Sequence, residues 1–313
     1  MKNQKQIIPV FFATDDRYVP FLDVALRSLK DHISKNYIYQ IVVLNTGLDK
    51  RGTDKILTLT DKNFRVEFAD VSDAMGELKD KLPNLFHFGL AAYYRLFIEQ
   101  MFPQYDKILY LDCDVVVKSD VAELYFTDLE GKWIGGVVDQ YVKRTAEFCE
   151  YTENAVGVNR ENYINSGIML IDLEKFRENN VENTFIELVN KYNFETVDPD
   201  QAYINFICKD KIKYLPVCWN RTPVSSLKCD NPKIIHYALY KKPWQYEDTF
   251  LGEHFWEYAK KSPFYKKILS IKRSFGEEER KVKESAGIII KSECLRIAAS
   301  ANTFRRVFAG VGF

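Results

Sequence analysis

The sequence has no excess charge of either sign: Lys and Arg number 44, and so do Asp and Glu. A whole-chain basic footprint is therefore absent, and nucleic acid is not an expected partner. Closely paired cysteines are also lacking. The six stand at 113, 149, 208, 218, 229 and 294, none in C-x-x-C spacing, which argues against a zinc ribbon or a redox motif. Cys113 and Cys208 lie inside apolar runs, the usual place of a reduced core cysteine. A reducing, cytoplasmic setting is expected. No apolar run approaches the ~20 residues of a membrane span. The opening Met1 to Gln6 leads straight into an apolar strand and is too short for a signal peptide. No internal repeat or long linker is visible.

What the chain has is a strand–helix alternation. Ile7–Ala13 reads as a buried strand, and residues 18–32 show helical spacing with Phe21, Ala25, Leu26 and Leu29 on one face. Strands follow at 38–44 and 64–69, with a helix from Asp54 between them. A helix over 88–101 ends before Pro103. Strands are then expected at 107–111, 115–117, 134–138, 168–171, 212–215 and 234–237. The helices among them are a turn from Leu173, 181–192 and 201–207. Such alternation favours a mostly parallel sheet with helices on both faces. Aromatic residues make up 14% of the chain, which suits a large core and also suits stacking on sugars or bases.

Six groups of residues carry possible chemistry. The apolar run Leu109–Leu111 delivers Asp112 and Asp114 to a strand end, the edge where ligands bind in open α/β sheets. Two carboxylates on one side repel unless a hard cation joins them. They are otherwise turn or cap carboxylates, or the nucleophile motif of a phosphohydrolase. Thr14-Asp15-Asp16-Arg17 follows the first strand, where an aspartate can meet a base or ribose or can cap the next helix. His236 closes a late strand and can add a nitrogen ligand, unless it is a core histidine. Lys242, six residues on, can reach a phosphate. Asn165-Ser166-Gly167 precedes a strand and permits close approach to a ligand or a tight turn. Asp200 and Gln201 open a helix that Asp200 can cap, and Arg95 has Glu99 at i,i+4 as a surface partner.

In this order the motifs resemble glycosyltransferase family 8, the retaining nucleotide-sugar transferases that include bacterial lipooligosaccharide galactosyltransferases and glycogenin. The resemblance spans about residues 7–265. It runs through Ala13, Asp15, Asp16 and Tyr18, then Tyr93 and Arg95, then Leu109 to Asp114. It continues through Asn165 and Gly167, Asp200 and Gln201, and His236, Tyr237, Lys242, Pro243 and Trp244. It implies an α/β, Rossmann-like nucleotide-diphospho-sugar transferase fold of GT-A type: a mixed, mostly parallel sheet with helices on both faces, plus a helical C-terminal tail. It implies manganese, or magnesium, held by Asp112, Asp114 and His236. The UDP-sugar donor would meet Ala13, Thr14, Asp15, Arg17, Tyr18, Asp112, Cys113, Asn165, Ser166 and Lys242. Arg95, Asp200 and Gln201 would surround the sugar undergoing transfer. The implied reaction moves glucose or galactose, with retention, to a saccharide or glycolipid of the cell envelope. Two departures stand out. Leu239 takes a place where the family often has Gly, and Ala202 one where several relatives have Asp. They keep open a UDP-sugar-binding relative without turnover.

The division expected is a catalytic part, 1–265, and a basic amphipathic helical segment, 266–313. From Tyr265 onward there are 11 Lys and Arg against 5 Asp and Glu, interleaved with apolar residues in two helices over 266–285 and 290–308. Two readings of this tail are open: peripheral contact with the anionic inner face of the cell membrane, or packing on the body.

Overall fold

The computed structural model describes residues 5–82, 89–238 and 240–310. Within them lie nine strands: β1 (Ile7–Ala13), β2 (Ile38–Asn45), β3 (Phe64–Asp70), β4 (Lys107–Leu111), β5 (Val115–Val117), β6 (Ile134–Val138), β7 (Ile164–Asp172), β8 (Ile212–Tyr214) and β9 (Ile234–His236). The α-helices of eight residues or more are α1 (Val19–Asp31), α2 (Lys50–Leu57), α3 (Val181–Lys191), α4 (Pro199–Ile207), α5 (Gly252–Ala259), α6 (Tyr265–Ser274) and α7 (Glu277–Ala299).

β1 is buried without interruption from Ile8 to Phe12, as a central strand covered on both faces must be. It lies between β2 and β4 and runs parallel to both. The seven-stranded order is β3-β2-β1-β4-β7-β6-β8, and β7 runs against its neighbours β4 and β6. Side chains alternate between two cores. Phe11, Val42, Ile108 and Tyr110 enter one, while Val10, Phe12, Ile41, Val43, Leu109 and Leu111 enter the other. This is the expected mixed, mostly parallel sheet with helices on both faces.

β5 leaves the main sheet and pairs with β9 in a separate antiparallel ribbon, Val115 opposite His236. That register sets His236 next to Asp114, although about 120 residues separate them in sequence.

Several element boundaries differ from expectation. β7 begins at Ile164 and not at 168, so Asn165, Ser166 and Gly167 lie within the strand and do not precede it. The segment read as a helix over 88–101 is a 3-10 helix from Leu90 to Phe97 followed by a short α-helix, Ile98–Met101; Phe88 lies outside the described residues. Five consecutive side chains, Tyr93 to Phe97, are buried, so no single amphipathic face exists. The helix expected from Asp54 begins earlier, at Lys50. In the tail the chain breaks at Gly276, whose N–H donates to the Glu279 carboxylate at 2.9 Å, and not near residue 286. α7 then runs through Gly287, where a Cβ would lie 3.5 Å from the Tyr240 ring.

The tail packs on the body through Ile290, Cys294 and Ile297 of α7, and Phe304 meets Phe194 with ring centroids 4.2 Å apart. α7 carries five basic and five acidic residues. Its exposed apolar residues, Val282, Ile288, Ile289 and Leu295, therefore sit on a neutral helix. The basic excess lies elsewhere, on α6 (Lys266, Lys267, Lys272, Arg273) and at Arg305 and Arg306. Among the described residues no helix is long and apolar enough to cross a membrane.

Candidate functional site

A cavity of about 230 Å3 opens at the carboxyl ends of β1 and β4. These adjacent parallel strands lead to connections on opposite sides, the crevice where open α/β sheets bind ligands. The residues expected to meet the donor, its sugar or the metal all line it, whereas the motif residues Asp16, Tyr93, Tyr237, Pro243 and Trp244 are not part of its wall. Ala13, Thr14, Asp15, Arg17 and Tyr18 follow β1, and Asp112, Cys113 and Asp114 follow β4. Asn165 and Ser166 begin the reversed β7, and Arg95, Asp200, Gln201, His236 and Lys242 close the wall.

At its centre one ligand atom each of Asp112, Asp114 and His236 lies within 4.8 Å of the others. His236 Nε2 is 3.1 Å from Asp114 Oδ1 and 3.6 Å from Asp112 Oδ2. Its other nitrogen, Nδ1, faces Asn220 Oδ1 at 3.0 Å. Asn220 Nδ2 donates to Asn165 Oδ1 at 2.8 Å, so its oxygen must face the histidine. The proton of a neutral His236 then sits on Nδ1, and the Nε2 lone pair points at two carboxylates. Three electron-rich groups facing one point is the chemistry of a cation site. Gly167 permits this closeness: a Cβ there would lie 2.2 Å from His236 Cε1 and 2.6 Å from Asp112 Oδ2.

Lys242 is buried beside the triad and forms an ion pair with Asp114 while donating to the Tyr237 carbonyl. Burial by itself would push the Asp114 carboxyl up, but the Lys242 ammonium, joined by His236 whenever Nε2 carries a proton, holds the group well below the usual range. Asp114 is thus ionised at any physiological pH.

Arg95 organises the next stretch of wall. Its guanidinium reaches Asp112 Oδ1 at 2.8 Å, Asp200 Oδ2 at 3.2 Å and the Ser166 carbonyl, and it lies over the Tyr110 ring at 4.2 Å. Ser166 Oγ donates to Asp200 at 2.8 Å, and Ser166 N donates to Gln201 Oε1 at 3.0 Å. Gln201 Nε2 donates to Asp198 and Asp139. Burial pushes the Asp198 carboxyl up to about 7, against the hydrogen bonds of Tyr163 and Tyr151. At the opposite end, Asp15 accepts from the backbone of Arg17 and Tyr18 and from the Arg17 guanidinium. Cys113 Sγ donates to the Ala13 carbonyl at 3.1 Å, tying the two strand ends together.

The family description "Glycosyl transferase family 8" matches residues 9–248, most of the chain. The chain belongs to that family. It is a glycosyltransferase with a GT-A type fold. It is 26% identical over 258 residues to a putative glycosyltransferase of Haemophilus influenzae, spanning 80% of this chain and 76% of the relative. It is 25% identical to the lipopolysaccharide 1,2-glucosyltransferase of Escherichia coli over 77% of this chain and 74% of that one. Among solved structures, the WbbM bifunctional glycosyltransferase is similar with a TM-score of 0.74 and 26% identity, over 88% of this chain and 53% of that chain. The galactosyltransferase LgtC, solved with donor and acceptor sugar analogs, shares the fold with a TM-score of 0.69 at 24% identity, over 82% of this chain and 96% of that one.

For a family 8 enzyme, several alternative assignments fall away. Arg95 is no surface partner of Glu99, because it is buried between Asp112 and Asp200. The cap of α4 is Asp198, not Asp200, which leaves Asp200 facing the cavity. Asp112 does not stand free as a phosphohydrolase nucleophile: Arg95 binds its Oδ1, and its Oδ2 faces the point shared with His236 and Asp114. Asp15 serves its own turn, as a capping carboxylate would, and still lines the cavity. Leu239 lies outside the described residues, and Ala202 is buried in the core behind the cavity.

Other wall residues carried no sequence motif that was read. Asp139 follows β6 just as Asp112 follows β4, and a carboxylate just past a strand end is a usable signal. Asn220 lies in a 3-10 helix with no periodic signature, and Tyr141, Tyr240 and Ile290 come from three distant segments.

Proposed function

We propose that this family 8 glycosyltransferase moves a hexose, glucose or galactose, from a UDP-sugar to a hydroxyl of a saccharide or glycolipid acceptor, using a divalent cation held by Asp112, Asp114 and His236. The carrying observation is the donor set: two carboxylates and an Nε2 lone pair facing one point, with Asn220 fixing the tautomer. Oxygen-rich ligation of this kind suits manganese or magnesium. When bound, the cation offsets the negative charge that develops on the departing diphosphate.

The chain's own residues supply the rest. The turn from Ala13 to Tyr18 takes the uridine. Lys242, a buried point charge beside Asp114, stabilises the diphosphate. Arg95 fixes Asp112 relative to Asp200, and so the diphosphate relative to the sugar. The C1–O bond breaks with oxocarbenium-like character. Gln201 offers an amide, a poor nucleophile, so the acceptor hydroxyl attacks C1 from the face that UDP leaves. Its proton passes to the departing phosphate oxygen, and the anomeric configuration is retained. The name of the Escherichia coli relative, a lipopolysaccharide glucosyltransferase, supports an envelope glycan as acceptor.

UDP release from UDP-glucose and UDP-galactose, with and without Mn2+, tests the donor and the cation. Proton NMR of the product tests stereochemistry: an inverted anomer overturns the front-face mechanism.

A further inference from the structure

Front-face attack restricts where an acceptor can stand. Its hydroxyl must lie beside both the diphosphate and C1 of the sugar. Two aromatic residues occupy the corresponding junction of the wall. Tyr240 belongs to the loop between His236 and Lys242, the diphosphate side. Tyr141 follows Asp139, which accepts from the backbone of Tyr141 and Val142 and from Gln201 on the sugar side. The two rings meet edge to face with centroids 6.4 Å apart.

α7 backs Tyr240, and through its ring the pair. Gly287 brings the helix backbone up to the Tyr240 ring, where a Cβ would lie 3.5 Å away. Lys283 Nζ donates to the Tyr240 carbonyl and to Gln245 Oε1. Ile290, one turn on from Gly287, reaches the cavity wall itself. The C-terminal helix thus contributes to the cavity wall, through Ile290 directly and through Tyr240.

We propose that Tyr141 and Tyr240, backed by α7, form the acceptor platform, and that the acceptor is a pyranoside whose apolar C–H face stacks on these rings while a hydroxyl turns toward C1. Aromatic rings with polar tips suit a ligand that is apolar on its faces and polar at its rim. The inference rests on the UDP-sugar reading above, and its test separates the two.

UDP release is measured for the full chain with the preferred UDP-sugar, in water alone and with lactose or the methyl glycosides of glucose and galactose. Tyr141→Ala and Tyr240→Ala should each lower the ratio of transfer to hydrolysis by about tenfold, the loss of one stacked ring. Gly287→Leu, which displaces Tyr240 from behind, should lower the same ratio, with melting curves confirming a folded chain. Ile288→Ser, on the exposed face of α7, should leave it unchanged. Equal ratios in wild type and the tyrosine variants overturn the platform. So does a wild-type enzyme that hydrolyses UDP-sugar but gains nothing from any of these saccharides. A wild-type enzyme that cleaves no UDP-sugar overturns the parent reading, and the platform with it.

Discussion

Asn220 accepts from His236 Nδ1 at 3.0 Å and, through its amide nitrogen, binds Asn165. One buried amide therefore links the histidine proposed to face the cation with the cavity wall at Asn165. Asn220→Ala frees the ring to rotate and leaves Asn165 Oδ1 without this donor. The half-saturating Mn2+ concentration for UDP release is expected to rise about 10- to 100-fold, as for other partners that orient a metal-binding histidine. Unchanged Mn2+ dependence would show that Asn220 does not orient the ring.

Gly167 faces the same histidine from the other side. Gly167→Ala places a methyl group 2.2 Å from His236 Cε1, so the ring or β7 must move. The strain is expected to cost about 1–3 kcal/mol in denaturant unfolding. Metal-dependent turnover should fall far more than the stability loss alone explains.

Arg95→Lys keeps the charge but loses the planar fork that spans Asp112 and Asp200. Turnover should drop roughly 100-fold, the effect of misplacing reacting groups by about an ångström. The affinity for UDP, measured by calorimetry, should change much less.

Away from the site, Glu182 packs beside Glu99, and one oxygen of each carboxylate is buried without a partner among the described residues. Burial, then the charge of Glu99, pushes the Glu182 carboxyl from 4.5 up to about 7. Between those values the folded chain keeps a proton that the unfolded chain has released. Stability therefore falls as pH rises from about 4.5 to about 7, and the penalty persists above it. Glu182→Gln should stabilise the protein at pH 8, by on the order of 2 kcal/mol, and have little effect near pH 4. Urea unfolding of both proteins at the two pH values checks the sign.

Much of this was readable in the sequence because the informative segments are short, apolar and punctuated. β1 and β4 are runs too apolar to be anything but central strands, and each ends in the polar residues that face the cavity. What the sequence did not show depends on pairing between distant segments. The ribbon of β5 and β9 brings His236 to Asp114, and no local pattern specifies that register. Spacing alone left Arg95 open as a surface partner of Glu99, because i,i+4 says nothing of burial, and only the order of the motifs set it beside the donor sugar. Asn220 and Tyr240 sit in irregular segments, where neither period 2 nor period 3.6 applies. In the tail, composition gives only a sum: the net basic excess lies on α6 and at Arg305 and Arg306, while the exposed apolar residues lie on α7, where five basic and five acidic residues cancel.

The role proposed for Asp112, Asp114 and His236 is to hold the cation needed to cleave a UDP-sugar. Its most direct test is Mn2+-dependent UDP release by wild type and by Asp114→Ala, with UDP-glucose and UDP-galactose as donors. Wild type should release UDP only when Mn2+ or Mg2+ is present, and Asp114→Ala should lose that release while remaining folded. Metal-dependent release by Asp114→Ala at the wild-type rate would contradict the claim.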